Sequence, residues 1–146
     1  MDSATRKRPK RLWVAAIINT LVGLMALSLF AFLVMSTRVP HAFHPRGATA
    51  FFAVCAPSFL IIASIMALFG KPYGRYLMLL AALVFYATLI VQNVLLFGAA
   101  QSLFGQAGGA KVVANVARAS LELLINLWAL LSFKTRQYFG GAAVAP

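Results

Sequence analysis

From Leu12 to Met35 the chain runs 24 residues without a charged side chain. A helix rises about 1.5 Å per residue, so roughly 20 residues cross the ~30 Å hydrocarbon core of a bilayer. This run is long enough to span with some tilt. The same feature returns from Thr49 to Gly70, and Tyr76 opens a third run with no charge before Lys111. A fourth, Val112 to Phe133, has the right length but contains Arg118 and Glu122. A water-soluble domain carries about 25% charged residues. Here the figure is 10%, with 62% hydrophobic residues, so a soluble core of this size could not hide the apolar surface. The sequence predicts an all-α integral membrane four-helix bundle.

The pattern divides the chain into a basic arm (1–11), one transmembrane domain (12–133) and a tail (134–146). Helices are expected at about 12–35, 49–70, 76–97 and 112–133. The third apolar run is too long for one crossing. Gly98, Gly105, Gly108 and Gly109 interrupt its last part, so 98–110 is expected to be a glycine-rich loop, with an interfacial segment as the alternative. Pro57 falls inside the second run, where a missing N–H kinks a helix and neighbours satisfy the freed carbonyl. The short turn Gly70–Arg75 makes the second and third helices antiparallel neighbours. The start also resembles a signal peptide. Its apolar run exceeds the usual ~7–15 residues, which favours a retained helix.

The net charge is +11, yet the basic residues flank the apolar runs and form no aromatic-interleaved patch. Nucleic acid is therefore not an expected partner. With the N-terminus inside, nine basic residues lie on the cytoplasmic side: five in the arm, then Lys71, Arg75, Lys134 and Arg136. The other side has Arg38, Arg46 and Lys111, with Arg118 near that edge. That bias predicts both termini in the cytoplasm. In general outline the chain resembles small bacterial inner-membrane proteins, so that membrane is the expected location.

Glu122 is one of two acidic residues; the other is Asp2. Lys111, Asn115, Arg118, Glu122 and Asn126 recur at helical spacing and form one polar stripe. Such a stripe should turn toward the bundle or another subunit. Arg118 and Glu122, four apart, can pair along the helix. The candidate seam comprises Asn115, Arg118, Glu122 and Asn126 with Asn19, Gln92 and Asn93 from the first and third helices. Ala15, Asn19 and Gly23 follow a small-xxx-small spacing that suits close helix contact.

Other chemistry is thinly represented. His41 and His44 form a weak metal-ligand pair with no cysteine or acid nearby. Cys55 is the only cysteine, so no internal disulfide can form. With only Asp2 and Glu122 as acids in the whole chain, paired-carboxylate catalysis is excluded. No P-loop or nucleophile triad is present, and no cofactor or enzymatic activity is expected. In outline the chain resembles small multidrug transporters, which use a membrane glutamate. Theirs lies in the first helix, where this chain has none. The expected role is that of a non-enzymatic accessory or assembly subunit acting through helix faces. Its expected partners are the lipid bilayer and a homo-oligomer or larger membrane protein. The alternative is a small oligomeric transporter or channel using Arg118 and Glu122.

Overall fold

A computed structural model describes residues 9–36, 47–71 and 73–140. Among these the chain is all helical: α1 (Lys10–Met35), α2 (Ala48–Leu68), α3 (Gly74–Leu131) and α4 (Phe133–Gly140). Four segments are long and apolar enough to cross a membrane: α1, α2, and two arms of α3, Gly74–Gly98 and Gly105–Leu131. Their outer faces are almost wholly carbon. Met25, Leu29, Phe32, Val91, Leu95 and Leu124 are each more than half exposed. In water such a surface would drive aggregation; in lipid it is the solvated surface. The protein is an integral membrane four-helix bundle.

Contact between the crossings depends on small residues. Leu12, Ala15, Ala16, Asn19 and Gly23 are the buried face of α1. Pro57, Leu60, Ala63, Ser64 and Ala67 are that of α2. A methyl group at Gly23 would come within 2.7 Å of Ile61 Cγ1 and 3.1 Å of the Pro57 carbonyl oxygen. The small-xxx-small spacing thus marks where the two backbones approach. Lipid gives apolar side chains no hydrophobic drive to associate, so this close packing is what holds the helices together.

The turn after α2 follows from Gly70. Its φ of 68° is left-handed. The Gly70 N–H donates to Ala67 O and the Lys71 N–H to Met66 O, the paired bonds of a Schellman stop. The chain re-enters a helix at Gly74, pressed against α2. A methyl there would lie 2.8 Å from the Ala67 Cα and 2.9 Å from the Met66 carbonyl oxygen. Backbone cannot yield as a side-chain tip can, so Gly74→Ala is expected to lower stability by about 1–3 kcal/mol. Denaturant titration in detergent against wild type measures this.

The expected loop over 98–110 is instead helical, and the second arm begins at Gly105 rather than Val112. The backbone reverses at Gly105 alone, with φ 62° and ψ −151°. Only glycine adopts that conformation readily. Were α3 straight, Arg75 and Leu130 would lie roughly 80 Å apart. Instead Arg75 Nε donates to Leu130 O at 2.9 Å, so the arms form a hairpin. Helix persists on both sides of the reversal because each unpaired backbone group near the membrane is costly. Gly98 and Gly105 make a controlled comparison, since at neither would a methyl meet anything within 4 Å beyond the local backbone and chain neighbours. Gly105→Ala is expected to cost about 1–3 kcal/mol of strain. Gly98→Ala, in helical backbone, is expected to be neutral or stabilising by up to about 1 kcal/mol. Equal effects on thermal stability would contradict a hinge confined to Gly105.

The start of the tail is itself helical. Residues 133–140 form α4, and Thr135 is fully buried. Thr135 Oγ1 donates to Ala129 O at 2.7 Å, closing carbonyls that the end of α3 leaves unpaired. Nearby, the Arg11 guanidinium stacks 4.0 Å from the Trp128 ring centroid, joining the start of α1 to the end of α3.

Candidate functional site

The polar residues of α3 fall into two groups, and helix geometry explains why. On the second arm the inner seam runs Gly108, Val112, Asn115, Ala119, Glu122 and Asn126, alternating steps of four and three. That 3.5-residue period keeps one side turned to a neighbouring helix. Gly108, Val112, Ala119 and Asn126 are buried. Arg118 precedes Ala119 by one residue and so points about 100° away from it.

The inner group is fully buried. Asn19 Nδ2 donates to Asn126 Oδ1 at 2.7 Å, and Asn126 Nδ2 donates back to Asn19 Oδ1 at 2.9 Å. The Tyr86 hydroxyl donates to Asn19 Oδ1 at 3.0 Å. Asn126 Nδ2 also donates to Glu122 O at 2.8 Å. Asn19 Oδ1 therefore uses both lone pairs, and Asn126 Nδ2 uses both hydrogens. One cluster ties α1 to both arms of α3. Tyr86 stands outside the seam expected from sequence. The available signal was a phenol in mid-run, since a buried tyrosine hydroxyl normally needs a partner.

The outer group lies on the bundle surface. Arg118 Nε donates to Glu122 Oε1 at 2.8 Å; the arginine side chain is 58% exposed and the glutamate 14%. Arg118 stands thirteen residues from both Gly105 and Leu131, at the centre of its crossing. One turn up, Asn115 Nδ2 reaches Asn93 Oδ1 at 3.4 Å, and Asn93 Nδ2 donates to Leu89 O at 2.8 Å. Gln92 joins neither group. It lines an apolar cleft of about 320 Å³ among α1, α2 and the first arm, with Phe30, Phe52 and Phe85.

The stripe, expected to turn toward the bundle or another subunit, is thus divided between the interior and the surface. Asn126 is interior and Glu122 half-buried; Asn115 is exposed at the edge of the seam, where it reaches Asn93, and Arg118 faces outward. The stripe spans only about 80° of the helix, but its centre is offset from the buried series through Val112 and Ala119, so Arg118 falls outside the contact. His41 and His44 lie outside the described residues. Among the described residues no three His, Cys, Asp or Glu side chains gather where they could hold a metal. No protein-family model, curated protein or solved structure matches this chain.

Proposed function

We propose that this is a non-enzymatic membrane protein that works by presenting one face of its fourth crossing to another membrane-embedded helix, as an accessory or assembly subunit does. One observation carries the reading: an arginine–glutamate pair sits at mid-crossing with its arginine more than half uncovered. Charged groups at that depth ordinarily face protein or a water-filled cavity. Arg118 is held at that depth by its bond to Glu122, one turn nearer the chain's C-terminus, which opposes snorkelling to the Gly105 end. A partner that covers the pair completes its solvation. Positive-inside bias supports cytoplasmic termini: Arg11, Lys71, Arg75 and Lys134 cluster at one end of the bundle. A bacterial inner membrane is the proposed location.

A second reading, a small oligomeric transporter or channel, is favoured by the polar groups that recur every three or four residues from Lys111 to Asn126. Glu122→Gln separates the two. For a contact face, the variant inserts normally but loses co-purifying partner and detergent stability, and neutralising Arg118 restores part of the stability. For a transporter, coupled flux in vesicles disappears while assembly is unchanged. Absence of any partner in mild detergent, with flux lost, would overturn the contact-face reading.

A further inference from the structure

We infer that the partner on the Arg118 face is a second copy of this chain, packed in the same orientation along the second arm of α3. This rests on the contact-face reading above and names its occupant. Beside the inner seam runs a second one of identical period, one residue earlier: Ala107, Lys111, Ala114, Arg118, Leu121 and Ile125. The steps again alternate between four and three, the spacing at which parallel helices interlock. All but Ile125 are exposed, and Ile125 is half-buried. Ala107 and Ala114 are small enough to let a second backbone come close.

Charge selects the occupant. Of the five N–H groups of the Arg118 guanidinium, only Nε–H meets an acceptor among the described residues. Glu122 keeps a second carboxylate oxygen beyond the one that Arg118 engages. Two parallel copies meet at equal depth, so Arg118 of one lies about a turn from Glu122 of the partner subunit. Each guanidinium can then bridge its own carboxylate and its partner's, using terminal nitrogens that meet no acceptor among the described residues. Two arginines and two glutamates sum to zero charge, so no net charge remains in hydrocarbon. A phospholipid headgroup is a poor substitute, because the membrane centre lies about 15 Å below it. A different membrane protein would have to supply an acceptor of its own at that level. The two Lys111 side chains stand nearer the Gly105 end, seven residues above Arg118, where water can screen them.

The test uses full-length chain in phospholipid vesicles, with Cys55→Ala as background. Oxidation of Ala114→Cys should give a disulfide-linked pair, and Leu24→Cys on exposed α1 should give none. Single-molecule photobleaching should show two steps at moderate protein density. Arg118→Gln and Glu122→Gln should each weaken the pair by about tenfold. Ala114→Phe alters only the outer seam and should weaken it similarly while helicity and elution stay unchanged. One-step bleaching at every density, with no cross-link from Ala114→Cys, would overturn the second copy. If Ala114→Cys then cross-links to a different polypeptide in native membranes, the contact face stands and only its occupant is wrong. If it cross-links to nothing there, both readings fall.

Discussion

Glu122→Ala is expected to destabilise the bundle by about 2.5–3.5 kcal/mol, the insertion-scale cost of an unpaired charge at mid-membrane. The variant leaves Arg118 without its 2.8 Å partner at the centre of a crossing. The decisive comparison is the double variant Arg118→Leu/Glu122→Leu. Removing both ions removes both desolvation costs, and apolar replacements of this kind are often neutral or stabilising. Unfolding by detergent titration should therefore rank the double variant near wild type in single-chain stability, with Glu122→Ala far below it. If the double variant is as unstable as the single one, the pair is not the source of the cost. The same double variant should lose self-association, so stability and assembly respond in opposite ways.

The second large effect concerns the buried amides. Asn126→Leu removes two donors and an acceptor and orphans the Asn19 Nδ2 group, fully buried, while Asn19 Oδ1 keeps the Tyr86 hydroxyl. An unpaired buried polar group costs about 1–3 kcal/mol, more than the ~0.6 kcal/mol average for an interhelical hydrogen bond. Asn19→Leu should cost a similar amount. The pair Asn19→Leu/Asn126→Leu should be less destabilised than the sum of the two, because neither amide is then stranded. A double-mutant cycle on the unfolding free energy measures the coupling. Additive losses would mean that the two amides do not share their bonds. Tyr86→Phe, which removes one of two donors to Asn19 Oδ1, should cost about 1 kcal/mol and serves as a milder reference.

Much of the architecture was legible in the residues. Two runs above twenty residues without charge, Leu12 to Met35 and Thr49 to Gly70, leave few alternatives to a membrane crossing. The close approach at Gly23 was visible in its spacing from Ala15 and Asn19. The reversal was not. Four glycines share the stretch from Gly98 to Gly109, and local propensity treats them alike; which one takes a left-handed φ depends on how the two arms meet. The stripe on the second arm was visible as a periodicity, but its orientation was not. Residues spaced by three and four can sit on the edge of a contact as easily as at its centre, and the neighbouring buried series through Ala119 decides the matter. Thr135 was hidden for another reason. Its role is to cap carbonyls at the end of α3, a need that arises only once Ser132 has ended the helix.

Lipid surrounds four crossings, and the chain turns back at Gly105. Membrane-impermeant thiol labelling in sealed, right-side-out vesicles tests this arrangement most directly, on the Cys55→Ala background with Lys71→Cys, Gln106→Cys and Lys134→Cys. The expected result is that Gln106→Cys reacts from one compartment, and that Lys71→Cys and Lys134→Cys react only when the opposite compartment is opened. Labelling of all three from the same side would contradict it.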